Sequence, residues 1–372
     1  MKDKVISMKV PMIDLQKQYS MIKEEIDSSI QRVLDSGHFI MGEEVKKFEE
    51  EMDLYLKVRK GSSITCASGS DALLLALMAI DVREGDEIIT TPFTFFATAG
   101  SIARLGAKPV FCDIDESFNL DYRLVESKIT EKTKAILTVS LYGNPSYLKE
   151  LREICKKHNL ILIDDAAQSI GAKIDNIPIC NYADFSTYSF FPTKNLGAYG
   201  DAGMLVVNNE ELEKKVRMLR VHGAKKKYIH SVIGLNSRLD TLQAAILRAK
   251  LTYLDKWIER RRQIAEIYDK NLKGVKTPQV HKNNYHVYHQ YTLMCDNRDE
   301  LMTYLKEKGI ETQVYYPLPL HLQDCFQYLG YKKGDFSNAE LTAEKALSIP
   351  INEMMKDEQV EYVIQTINSF KI

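Results

Sequence analysis

The sequence predicts an α/β fold: a mostly parallel sheet in a large domain, followed by a smaller α+β C-terminal domain. Three observations predict it. Between residues 63 and 163, short apolar and β-branched runs alternate with helical stretches of roughly ten residues, the pattern of strands joined by crossover helices. After residue 208 the pattern becomes helical and then mixed. The 372 residues are 45% hydrophobic and 27% charged, enough to bury a core in two domains. The boundary is expected near 250–275, with 1–250 as the large domain and 251–372 as the small one.

In chain order, Ile22, Ile26, Ile30, Val33 and Leu34 recur at helical spacing over 13–36, and Gly37 supplies a stop. The loop GHFIMG follows, with Phe39 and Ile40 expected in the core, and 43–56 reads as a second amphipathic helix. Next come a strand over 63–67, a tight turn at Ser68-Gly69-Ser70 and an apolar helix over 71–80. A strand that turns into a helix N-terminus presents free N–H groups and a positive dipole end, a seat for a phosphate. Capping by Ser70 or Asp71 explains the same residues equally well. No GKS or GKT follows, and GxGxxG occurs nowhere, which speaks against a P-loop and a dinucleotide site.

Strands are then expected over 87–90, 109–113, 135–139 and 160–163, with helices over 95–105, 124–129 and 147–158 between them. Sites in such sheets lie at the carboxyl ends of the strands. Three segments therefore converge on one crevice: SGSD (68–71), DDAAQS (164–169) and the turn within STYSFFPTKNLGAYGDAG (186–203). In that turn Lys194 sits between Pro192 and three glycines, Gly197, Gly200 and Gly203. A lone lysine is usually a solvated surface charge; the convergence singles this one out. Asp164 and Asp165 should point opposite ways along a strand and so do not form a catalytic pair. Asp165, at the strand mouth, suits a cationic partner such as a pyridinium nitrogen, and Asp164 suits an N-cap for a following helix.

A strand over 205–208 precedes the helical region, whose basic loop Lys225–Lys227 is expected to be solvated and whose long helix starts at Asp240. The C-terminal domain reads as a strand over 288–294, a helix over 299–308, a strand over 312–316 and a terminal helix from Glu358. A net charge of −1 gives no reason to expect a nucleic-acid or membrane partner. The six cysteines lack CxxC spacing, so neither a metal site nor a disulfide framework is expected. The longest apolar run, 72–80, is too short for a membrane helix. Lys9 and Pro11 interrupt any leader, and the expectation is a cytoplasmic protein.

SGSDAL, TTPFTFFATA, DDAAQSIGA, SFFPTKNLG, GLNSRLDTLQAAIL and YYPLPLHLQ together resemble the DegT/DnrJ/EryC1/StrS family of pyridoxal-phosphate sugar aminotransferases over nearly the whole chain. The resemblance implies the aspartate-aminotransferase (type I) fold and a homodimer with shared active sites. It implies pyridoxal 5'-phosphate bound covalently to Lys194, with pyridoxamine phosphate as the form between two half reactions. Asp165 would face the pyridine nitrogen, Gln168 the 3-hydroxyl, and Phe95 would stack on the ring. Gly69, Ser70 and Ser189 would hold the phosphate, joined by Asn236 from the other subunit. Arg238 would cross the interface to the substrate, and Tyr316 would line the sugar pocket; many relatives carry histidine where this chain has Tyr315.

The resemblance further implies amino transfer from L-glutamate to a keto-sugar nucleotide for polysaccharide or glycan biosynthesis. Lysine rather than histidine at 194 favours transamination over dehydration. The nearest likeness is to enzymes acting at C3 of UDP-2-acetamido-2-deoxy-3-oxo-glucuronate, whose carboxylate Arg238 and the lysines at 225–227 would neutralise. Alternatives are a dTDP-3-keto-6-deoxyhexose or GDP-4-keto-6-deoxymannose aminotransferase, and, in another class, a non-catalytic regulatory relative.

Overall fold

Seven strands build the central sheet of the computed structural model, which describes residues 8–370; the first seven residues, on which part of the leader reading rests, and the last two lie outside. The strands are β1 (Ser63–Cys66), β2 (Glu87–Thr90), β3 (Lys108–Phe111), β4 (Thr133–Val139), β5 (Ile161–Asp165), β6 (Phe185–Ser189) and β7 (Gly203–Val207). Their spatial order is β1-β7-β6-β5-β4-β2-β3. From β6 to β3 all neighbours are parallel, whereas β7 runs antiparallel to both β6 and β1.

Both faces of the sheet are covered, so the strands are apolar almost throughout and their period-two alternation sorts residues between two cores. On one side Ile88, Leu137 and Ile163 pack under α4 (Gly69–Ala79), which is apolar all round because it is buried all round. On the other, Ile89, Ile136 and Leu162 meet α3 (Glu43–Tyr55) and α6 (Leu148–His158) through Phe48, Met52 and Leu151. Ahead of α3 lie α1 (Leu15–Met21) and α2 (Lys23–Ser36); α5 (Ala97–Arg104) follows β2 and α7 (Glu210–Leu219) follows β7.

A separate apolar cluster gathers the C-terminal residues around Tyr268, Tyr291, Leu301, Leu347 and Val363. Its strands, β8 (Tyr291–Met294) and β9 (Ala346–Ile349), are antiparallel. Val10 joins this cluster and bridges Ile310, so the start of the described chain packs with its end. Among the described residues no helix is long and apolar enough to cross a membrane.

Several expectations need correction. Residues 13–36 form two helices, because Ile22 leaves helical geometry (φ −124, ψ 29) to bury its side chain against Ile26, Ile246 and Trp257. The helix from Asp240 is likewise two, α8 (Thr241–Leu251) and α9 (Leu254–Asn271). Residues 312–316 form no strand: only Gln313 bridges, to Ser348. The basic loop is a short exposed hairpin of Ala224–Lys226 with Ile229–His230. Phe39 and Ile40 are not core residues but are 45% and 51% exposed, on a loop that Ile40 fastens to Asp240.

Candidate active site

The carboxyl ends of β1, β5 and β6 open into one cavity of about 460 Å³. Lys194 lies in its wall, in the turn that leaves β6, with Asp165 from β5 and Gly69 and Ser70 from the start of α4. The three segments singled out by sequence therefore do meet.

Local chemistry sets each group. Lys194 N–H donates to Phe191 O at 2.8 Å, which closes the turn. Burial disfavours the ammonium and pulls the Lys194 amine down to about 8, while Asp165 opposes that fall. Asp165 is itself buried, which raises its pKa. Its Oδ2 accepts from Thr98 Oγ1 at 2.7 Å and its Oδ1 from Ala167 N at 3.2 Å, contacts that favour the carboxylate and fix its direction.

Asp164 departs from expectation. No helix follows β5 for it to cap; the strand continues through Asp165, pairing with Val139 and Thr187. The two side chains point opposite ways, as alternation demands, yet both are buried. Asp164 Oδ1 accepts from Ser140 Oγ at 2.9 Å, and Oδ2 finds no partner. Burial pushes its pKa up to about 8, and the neighbouring Asp165 adds to the rise.

At the α4 end, Ser68 Oγ caps Asp71 N at 3.1 Å, so Ser68, not Ser70 or Asp71, is the cap. The first-turn amides of Gly69 and Ser70 have no intrahelical acceptor. A Cβ at Gly69 would stand 2.6 Å from Ser189 Cβ, so only glycine lets the helix start close against Ser189. Free amides, a hydroxyl and a positive dipole end thus share one corner, which fits a phosphate. The half-buried Lys194 amine and the buried Asp165 carboxylate, in the wall of the same cavity, fit the ring of pyridoxal phosphate.

Gln168 Oε1 accepts from Tyr142 N at 2.7 Å and its Nε2 donates to Tyr316 OH at 3.3 Å, which orients the amide in the wall. Phe95 is 56% exposed in the mouth, its ring centroid 6.2 Å from that of Tyr316. Tyr315 lines the cavity too.

Asn236 and Arg238 lie outside this cavity. Asn236 bridges Val221, and between the two Ser237 Oγ accepts from Ala67 N at 3.2 Å, beside the end of β1.

Sequence reasoning missed His289, Gln290 and Thr98. His289 is buried in the wall with Nδ1 unpartnered, and burial together with Lys194 and Arg261 drives its pKa well down, so the ring is neutral. A lone histidine before a short strand carries no signal; only the fold brings it to Lys194. Thr98 could have been found as one helical turn past the aromatic mouth, facing β5.

Comparison with known proteins agrees with this chemistry. A family model described as the DegT/DnrJ/EryC1/StrS aminotransferase family matches residues 20–368. The chain is 52% identical over 369 residues to a pleiotropic regulatory protein of Geobacillus stearothermophilus, covering 98% of this chain and 99% of that protein. It is 40% identical over 363 residues to the UDP-2-acetamido-2-deoxy-3-oxo-D-glucuronate aminotransferase of Pseudomonas aeruginosa, covering 97% and 100%. The crystal structure of S. venezuelae DesV in complex with a ketimine intermediate matches with a TM-score of 0.94 at 37% identity, over 97% of this chain and 98% of that one. Other relatives are named for UDP- and dTDP-linked sugars.

Proposed function

The chain belongs to the DegT/DnrJ/EryC1/StrS aminotransferase family and is a pyridoxal-phosphate-dependent nucleotide-sugar aminotransferase, and we propose that it moves an amino group from L-glutamate to C3 of a UDP-linked 3-keto uronate. The observation that carries the reading is that the half-buried Lys194 amine, whose proton Asp165 helps to hold, lines one cavity with Asp165, Gly69 and Ser70. The likeness to the uronate aminotransferase supports the choice of sugar.

Pyridoxal phosphate supplies an electron sink when bound. Asp165 would hold the ring nitrogen protonated, because an adjacent opposite charge favours the cation. Gly69, Ser70 and Ser189 would hold the phosphate, Gln168 the 3-hydroxyl and Phe95 the ring, with Lys194 as the amine that would carry the cofactor. Its Nζ, once free, takes a proton from the α-carbon of glutamate as general base. In the second half reaction it returns a proton to the sugar carbon that gains nitrogen. Tyr316 lines the sugar side of the cavity.

The protein acts as a homodimer in which Asn236 reaches the phosphate and Arg238 the sugar carboxylate of the other subunit. Exposed large apolar side chains support this: Ile233 is 91% and Tyr228 83% exposed, and Ile229, Phe39 and Ile40 are also open. Residues 1–250 would form the large domain and 251–372 the small one. The reaction would run in the cytoplasm, where six unpaired cysteines are at home.

The test offers protein loaded with pyridoxamine phosphate a panel of keto-sugar nucleotides and follows return of the aldehyde-form absorbance. Turnover is expected to be fastest with the UDP-linked 3-keto uronate. Arg238→Ala should cost the uronate roughly tenfold more than a neutral dTDP-3-keto-6-deoxyhexose or GDP-4-keto-6-deoxymannose, since a charged hydrogen bond contributes about 1.5–3 kcal/mol. Equal loss on all sugars would overturn the carboxylate role. The regulatory name of the Geobacillus relative favours a second reading, a sensor that keeps the fold without turnover. Loaded protein that never converts glutamate would support that reading instead.

A further inference from the structure

Lys250, on α8, is fully buried, and its Nζ donates to the carbonyl of Gly197 at 2.8 Å. The ammonium stands 4.2 Å from the centroid of the Tyr199 ring. Lysine is almost never fully buried unless an acid pairs with it. Among the described residues none does: Glu353, whose charge Lys250 feels, is tied to Arg261 at 2.8 Å. Burial accordingly pulls the Lys250 amine down to about 8.

What this cation holds instead is the loop that carries Lys194. The loop is tight, since a Cβ at Gly197 would stand 2.3 Å from Pro192 O. Asn195 Nδ2 donates to Val287 O at 2.9 Å, Ala198 N to Phe190 O at 2.8 Å, and Tyr199 N to Gln243 Oε1 at 2.8 Å. Every one of those ties is neutral. A hydrogen bond from a charged donor is roughly twice as strong as a neutral one, so Lys250 dominates the loop's exit arm.

We propose that Lys250 is a positioning residue for amino transfer: its ammonium clamps the Gly197 carbonyl and thereby keeps Lys194 aimed into the cavity. Lys250 does not line that cavity and acts only through the loop; the inference rests on Lys194 being the reacting amine.

The test compares wild type, Lys250→Met and Lys250→Arg, each saturated with pyridoxal phosphate. Misplacing a reacting group by about 1 Å costs on the order of a hundredfold. Lys250→Met is therefore expected to lower kcat by about ten- to a hundredfold, with KM for glutamate and sugar nucleotide nearly unchanged. Lys250→Arg, which keeps a charged donor, should recover most of the loss. In cofactor-free protein, the amides of 193–199 should exchange faster in Lys250→Met while those of α8 keep their protection. Unchanged kcat in a folded Lys250→Met, or a parallel loss of kcat, KM and α8 protection, would overturn the proposal. If Lys250→Met does not fold, Tyr199→Leu removes the ring beneath the ammonium; kcat should then fall by about tenfold, and an unchanged value would again overturn it. Reductive trapping in the wild type separates the two claims: a label away from Lys194 sinks the reading of the site, whereas a label on Lys194 with normal Lys250→Met turnover sinks this inference alone.

Discussion

At the scale of single residues, the account depends on one amine whose charge the fold suppresses. Because burial lowers Lys194 to about 8 from an ordinary 10.5, the unprotonated amine is abundant at mildly alkaline pH. The rate at which cofactor-free protein captures an aromatic aldehyde should rise with pH to a midpoint near 8. Asp165→Asn should move that midpoint lower still, because the carboxylate holds the amine's proton on. Lys194→Ala should lower kcat at least about a thousandfold, near the upper range of acid–base contributions. Asp164 gives a second pH signature. Its folded pKa, raised to about 8 from 3.8, means the native state holds a proton that the unfolded chain has already released. Stability therefore falls as pH rises from about 4 to about 8. Asp164→Asn removes that loss, so its stability advantage over wild type should be small at pH 4 and grow toward pH 8 by an amount on the order of 5 kcal/mol, seen as a growing gap in Tm. Thermal scans at several pH values check it.

At the scale of elements, the parallel strands and the helices between them were legible because a sheet buried on both faces writes unbroken apolar runs. Elements with weaker patterns were not. The helix Ser337–Lys345 and the strand Ala346–Ile349 that follows it directly went unread, since no turn signal separates them. Residues 312–316 have strand composition, yet Tyr315 and Tyr316 serve as cavity wall and Pro317 and Pro319 stop the pairing. The GHFIMG loop looks like core because apolar residues read alike in sequence whether the fold buries them or leaves them exposed, as it does Phe39 and Ile40. α9 bridges the two halves, with Leu254 and Ile258 in the sheet's core and Ile264 and Tyr268 in the C-terminal one. Between them Arg261 pairs with Glu353 at 2.8 Å, both buried, and donates to Ile351 O at 2.7 Å. Arg261→Ala leaves the Glu353 carboxylate buried without its partner and should cost about 3–5 kcal/mol of stability, measurable by denaturant unfolding.

At the scale of the whole molecule, the site residues divide by reach. Lys194, Asp165, Gln168, Gly69, Ser70, Ser189, Phe95 and Tyr316 line one cavity; the convergence of the segments at 68–71, 164–169 and 186–203 was legible because a parallel sheet gathers its strand ends, whereas Gln168, Ser189, Phe95 and Tyr316 were found only through the family motifs. Asn236 and Arg238 do not line it, and we propose that they serve the site of a second subunit. Ile233→Asp, at a fully exposed apolar side chain, should shift the protein from the proposed dimer to monomer in light scattering and reduce activity together with mass. A monomer of full activity would remove the shared-site proposal.

The most direct measurement is reductive trapping. Protein saturated with pyridoxal phosphate is treated with borohydride, digested and mapped by mass spectrometry. The account predicts a single phosphopyridoxyl label on the peptide holding Lys194, and no such label in Lys194→Ala. A label on another lysine, or none from saturated protein, would contradict it.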